Sequence, residues 1–216
     1  MKPTESSVEF LAEADRANHI ARVDEREELI NLGGNYDYLS RAYYVSRDLE
    51  HAGKPIRPNC RQMLDAYVPP LFLEKARLAN VPIPEFYISN GFFEPPAIVD
   101  PINPFTLRGR VVMKPGRVKT ISRSLTRNHT YAVCCQEIPP QARVIRFRAI
   151  LGWTVSPSLR EAAAMVWNVF SIPLATVRAL KLEDGSVLLS DIAPLYLEDL
   201  KPREMHHLKE RVKWVN

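Results

Sequence analysis

The sequence predicts an α+β fold, in one domain or two small lobes, on three observations. The chain has 216 residues, 46% hydrophobic and 25% charged, which is enough to build a core unaided. Apolar residues recur at helical spacing in some stretches and alternate or run together as strands in others. Asp184-Gly185 lies between two β-rich runs, the strongest short-range sign of an antiparallel hairpin.

The elements follow in order. Residues 7–16 place Phe10, Leu11 and Ala14 on one side of a helical period and read as a modest arm. Short strands are expected over 19–23 and 29–32, about a charged turn at 24–28, and Gly33-Gly34-Asn35 breaks the second. Tyr36, Leu39, Tyr43, Tyr44 and Arg47 then predict a helix over 37–50, stopped at Ala52-Gly53. A strand, a glycine turn and a helix invite a phosphate-cradle reading, because helix N-termini present free amides; a plain turn is the simpler reading, since a cradle needs more glycines at set spacing.

A helix beginning at Gln62 is cut off by Pro69-Pro70, and a clearer one over 71–80 takes Leu71, Lys75, Leu78 and Ala79 as its stripe. Residues 85–89 alternate as a strand, and 90–104 read as a proline-rich connector. An apolar strand over 111–115 has Lys114 at its exit, and a second ends Cys134-Cys135-Gln136-Glu137-Ile138. On the strand over 144–151, Arg146 and Arg148 project from one face. Ser158 and Glu161 predict a capping box for a helix over 159–170, with Ala162, Met165, Val166 and Val169 as core candidates. The hairpin over 175–192 and a charged helix over 197–215 complete the chain, with Asp191 at the hairpin's far end.

Composition narrows the function. Cys60, Cys134 and Cys135 have neither the number nor the spacing of a disulfide framework or zinc site, so a reducing cytoplasm is expected. No run approaches the roughly 20 apolar residues of a membrane helix, and the N-terminus has no signal-peptide core. The five histidines show no metal spacing, and His206-His207 read as solvated. Net charge is +4, but its distribution says more: no acid lies between Asp100 and Glu137, while Arg108, Arg110, Lys114, Arg117, Lys119, Arg123 and Arg127 do. This is a local positive field suited to an anion. A nucleic-acid surface is disfavoured, because Tyr131 is the only ring between Phe105 and Phe147 to serve as a stacking platform.

Together the pieces resemble the ATP-grasp ligases, in particular those that tailor ribosomally made peptides. The matching order is a proline-marked strand (Leu78 to Ser89), a VVxKP strand (Val111 to Pro115), a loop, a QExI hinge strand (Gln136, Glu137, Ile138), a strand with paired arginines before a glycine (Arg146, Arg148, Gly152), a small-residue helix, and a hairpin ending Ser190-Asp191-Ile192-Ala193. The resemblance covers about Leu78 to Leu200. The stretch Ile30 to Pro58 similarly looks like a domain preceding some ATP-grasp cores. It implies two small lobes with antiparallel sheets flanked by helices, after a short α/β segment: an arm and α/β segment over 1–70, a central lobe over 71–142 and a C-terminal lobe over 143–216.

The departures from the family matter equally. Active members have a glycine-rich phosphate loop where this chain has Gly116-Arg117-Val118-Lys119-Thr120-Ile121-Ser122-Arg123. They hold Mg²⁺ with an acid on the first hairpin strand and a Glu-x-Asn pair on the second; here stand Thr176, Val177 and Arg178, then Asp191 with Ala193. The resemblance therefore implies a truncated, degenerate, non-catalytic relative of the crocagin-type accessory proteins, which binds a precursor or leader peptide alongside the pathway's modifying enzymes. No cofactor and a homodimer are expected. The ligand cleft would use Lys114, Arg117, Lys119, Arg123, Gln136, Glu137, Arg146, Arg148 and Asp191. The competing expectation is a divergent carboxylate–amine ligase using ATP and Mg²⁺, with Lys114 and the loop arginines on the triphosphate and Asp191 on the metal.

Overall fold

A computed structural model describes residues 9, 19–23, 28–103 and 109–215. The expected arm over 7–16, apart from Glu9, and most of the turn over 24–28 lie outside the described residues. The chain divides into two compact units that interleave in sequence: Met1–Leu64, Phe147–Val177 and Ile192–Asn216 form the first, Asp65–Arg146 and Arg178–Asp191 the second.

In the first unit, β1 (Ile20–Val23) and β2 (Leu29–Asn31) appear near the expected places, and a third short strand, β3 (Ile56–Arg57), joins them where none was expected. β2 and β3 are parallel and joined through α1 (Arg41–His51), as a parallel pair requires a crossover. α1 starts later than predicted because Ser40 is extended and caps it, its hydroxyl oxygen accepting from the Tyr43 amide at 3.2 Å. The expected helix over 197–215 is three elements, the first a 3₁₀ turn over Leu197–Asp199. α6 (Pro202–Arg211) ends where Val212-Lys213-Trp214 turns extended and forms β11, antiparallel to β1 with Val23 opposite Val212. These β-branched and aromatic residues complete the sheet β11-β1-β2-β3, over a core including Ala21, Leu32, Leu195 and Leu208.

The capping box at Ser158 does not form. The Ser158 hydroxyl lies 3.3 Å from that of Ser156, and a 3₁₀ turn over Pro157–Leu159 precedes α5 (Arg160–Met165). A π-helical turn, Val166–Phe170, follows. Its extra residue shifts the inward face, so Phe170 is buried and Val169 only half-buried; Met165 is half-buried too, while Ala163 joins Ala162 and Val166 in the core.

α2 (Cys60–Tyr67) and α3 (Pro69–Leu78) are separated by Val68 alone. Pro69 and Pro70 end one helix and open the next, where a missing amide is no loss. The predicted α3 stripe is corrected: Phe72, Leu73 and Ala76 are buried, whereas Leu71 and Leu78 are 45% and 76% exposed.

The second unit is built on the antiparallel sheet β4-β7-β5-β6, of β4 (Phe86–Ser89), β5 (Ala97–Pro101), β6 (Arg110–Val112) and β7 (Val133–Glu137). β5 corrects the expected connector: all five of its residues are buried, and it pairs with both β6 and β7. The expected basic loop is largely a helix. After a short 3₁₀ turn, α4 (Val118–Leu125) packs Val118, Ile121 and Leu125 against Val99, Val112 and Cys135. β8 (Arg143–Ile150), β9 (Leu174–Lys181) and β10 (Val187–Ala193) form a third sheet in the order β10-β9-β8.

Candidate ligand-binding site

The residues expected to hold a ligand fall into three groups. Lys114, Arg117, Lys119 and Arg123 are exposed on the exit of β6 and on α4, as are Glu137 at the end of β7 and Arg146 on β8. Arg148 is committed elsewhere. Its guanidinium donates to the Asp199 carbonyl at 2.7 Å and to the Glu204 carboxylate at 3.0 Å, and Glu204, 4% exposed, also accepts from the Lys201 amide at the start of α6. Arg148 thus ties β8 to α6 within the first unit, so a ligand would have to break that pair to use it.

Gln136 and Asp191 join a buried cluster that sequence reasoning did not assemble. Arg178 donates to both oxygens of Asp100, at 3.0 and 2.6 Å, and through Nε to Ser190 Oγ at 3.0 Å. Ser190 donates in turn to Gln136 Oε1 at 2.8 Å, and Gln136 Nε2 donates to Asp100 at 2.7 Å and to the Ser190 carbonyl at 3.1 Å. Arg178 Nη1 lies 3.7 Å from Asp191, which is 23% exposed. Burial opposes the Arg178 charge, but Asp191 and Asp100 outweigh it and raise its pKa, so the guanidinium is a fixed cation. Two signals in the sequence pointed here: Arg178 inside the apolar run Ala175–Leu180, where a buried charge demands a partner, and Asp100 at the end of Ala97-Ile98-Val99.

Burial pushes the Cys135 thiol up to about 11, and raises Cys134 as well, with Asp100 adding to the effect there. These side chains are packing groups rather than nucleophiles. His207, expected to be solvated, is half-buried and stacks on Trp153 with ring centroids 4.4 Å apart.

At the Gly33-Gly34-Asn35 turn a cleft of about 330 Å³ opens, lined among others by Asn35, Arg41, Tyr196 and Glu198. The glycines are accounted for by chain packing. Gly34 has φ +74° and a Cβ there would run into the Leu195 backbone, while at Gly33 it would run into the Ala42 side chain. This is the turn reading, not a phosphate cradle.

The sequence matches the RLAN family, the RimK-like ATPgrasp N-terminal domain, over residues 9–211. The chain belongs to this family. No curated protein matches. Among solved structures, this RLAN chain is similar to a RimK domain ATP-grasp protein from Sphaerobacter thermophilus DSM 20745 at 16% identity and a TM-score of 0.57, covering 78% of this chain and 72% of that one. D-alanine-D-alanine ligase from Helicobacter pylori gives 14% and 0.58, covering 83% and 70%. The ATP-grasp ligase PsnB, complexed with precursor peptide PsnA2 and AMPPNP, gives 15% and 0.48, covering 78% and 63%. The fold is ATP-grasp-like, in agreement with the α+β architecture expected.

That fold implies Mg²⁺ and ATP, and the residues present do not fit them well. Among the described residues no three His, Cys, Asp or Glu side chains converge as a metal site. Asp100 and Asp191 are already bridged by a guanidinium, whose charge repels a divalent ion. Where the resemblance implied a glycine loop over phosphates, α4 uses its own amides beyond the first turn, and a Cβ added at Gly116 would meet nothing within 4 Å.

Proposed function

We propose that this RLAN chain is a non-catalytic peptide-binding protein, a degenerate ATP-grasp relative that recognises a precursor or leader peptide in a ribosomal peptide natural-product pathway of crocagin type. In this reading it presents the peptide to modifying enzymes and works in the cytoplasm as a homodimer. The observation that carries it is Arg178. Bidentate on Asp100 and 3.7 Å from Asp191, it puts a permanent positive charge on the hairpin strand to which the family resemblance assigns a magnesium-ligating acid. The acid-free basic stretch supplies the complementary feature, a surface for an acidic peptide.

Thermal unfolding with and without Mg-ATP tests this. A ligand binding only the folded state stabilises it by about 2.7 kcal/mol at a hundredfold excess over Kd, and a nucleotide-binding ligase would shift Tm by several degrees. No shift at millimolar Mg-ATP is expected here. A clear shift, lost in Lys114→Ala, would instead establish the carboxylate–amine ligase reading. Calorimetric titration with acidic precursor peptides at low salt should give binding at micromolar affinity or better.

A further inference from the structure

The second unit's sheet has two outer strands, β4 and β6, and they differ in chemistry. Among the described residues nothing pairs with the outer side of either. β4 exposes Tyr87 and Ile88, with Glu85 before it, Glu94 after it and the exposed Glu137 at the end of the adjoining β7. β6 carries Arg110 and leads into Lys114, which is still extended at φ −135° and ψ 144°. Side chains alternate along it. Arg110, Val112 and Lys114 share the face that α4 covers, where Val112 is 2% exposed beneath Val118, Ile121 and Leu125. Val111 and Met113 take the opposite face, 45% and 61% exposed, with Val111 opposite Ile98 of β5. One side of this edge is thus lined with cations and the other with apolar side chains.

From this we infer that the outer edge of β6, from Arg110 to Lys114, takes an acidic, extended peptide as a fifth strand. The inference rests on the peptide-binding reading and names its place and its pattern. A strand paired there sets alternate side chains against the two faces. Its acids meet Arg110 and Lys114, backed by Arg117 at the head of α4; its apolar residues cover Val111 and Met113. Lysine and arginine on an edge also serve to discourage pairing, which is the competing account of the same residues. The absence of acids from 101 to 136 argues for a partner, since protection alone does not require it.

The test uses the whole chain and a fluorescent synthetic peptide of alternating glutamate and valine, followed by anisotropy at low and moderate salt. Three results are expected. The peptide binds, and an analogue N-methylated at alternate residues binds about tenfold more weakly or worse, because it cannot complete the ladder. The double variant Arg110→Ala/Lys114→Ala weakens binding to a similar extent and flattens its salt dependence, and Ile88→Lys on β4 changes nothing. Equal binding of the N-methylated peptide overturns the inference on unaltered protein, whatever the variants do to folding. So does equally tight binding of a single-stranded oligonucleotide at the same residues, which marks a general polyanion surface. If peptide binding survives loss of Arg110 and Lys114, the edge is wrong while the peptide-binding reading stands; if no acidic peptide binds at all, both fall.

Discussion

Asp100 and Arg178 are 78 residues apart in sequence and both under 7% exposed. Removing one partner of such a pair strands the other charge, and Arg178→Met is expected to lower stability by about 3–5 kcal/mol, read from the urea midpoint. The double variant Asp100→Val/Arg178→Met should recover most of that loss, because it removes both charges and Gln136 Nε2 keeps the Ser190 carbonyl. A double variant as unstable as the single one would refute this account. His207 gives a pH dependence. Burial first, then Arg211, hold its pKa below the usual value, so in a window below about 6.5 the unfolded chain takes up a proton that the folded chain refuses. Stability is therefore full above this window and falls as pH drops through it. His207→Phe, which keeps a ring against Trp153, should flatten the urea midpoint between about pH 7.5 and 5.5. At this scale the sequence revealed types but not partners. Arg178 was visible as the wrong residue for a metal site, yet nothing local identified Asp100 as what neutralises it. Likewise, Arg146 and Arg148 were legible as strand neighbours, but the Glu204 that occupies Arg148 arrives from a distant helix.

Elements with strong local signals were legible: β1, β2, α1, β4 and the hairpin of β9 and β10 all lie close to their expected places. Others were not, and β5 and α4 show two different reasons. In sequence, the stretch of β5 has Pro95 and Pro96 before it, ends in Pro101 and is followed by Pro104, which together read as loop, and its strand character comes from burial between two neighbours. α4 carried a helical period in Val118, Ile121, Ser122 and Leu125, but family resemblance assigned that stretch to a phosphate loop; packing on β5 and β6 settles it as helix. The turn between β2 and α1 supports a prediction of its own. At Gly34 a side chain meets both a positive φ and the Leu195 backbone, whose amide donates to the Gly34 carbonyl at 3.0 Å. Gly34→Ala is expected to cost more than about 1 kcal/mol, whereas Gly116→Ala, with open space and ordinary φ, should be neutral or slightly stabilising. Equal urea midpoints for the two variants would show that this close approach is dispensable.

Across the whole molecule, the second unit is assembled from two stretches of chain, 65–146 and 178–191, and its polar cluster is divided between them. The first stretch supplies Asp100 and Gln136; the second supplies Arg178, Ser190 and Asp191. The apolar contacts divide the same way, with Ile98 and Ile138 packing on Leu180 and Leu188. Reading a chain in order gives consecutive pieces and cannot see such a return, because the signal is shared burial rather than spacing. A fragment of residues 65–146 would therefore expose Ile98 and leave the buried Asp100 carboxylate without its guanidinium, each of which outweighs any local propensity in the strands. It is expected to lack a cooperative thermal transition. Joining Arg146 to residues 178–191 through a flexible linker in place of 147–177 restores both the guanidinium and the apolar partners, and should restore cooperative unfolding. Circular dichroism melts of the two fragments check this directly. A sharp transition in the 65–146 fragment alone would mean that the Asp100–Arg178 pair does not hold the unit together.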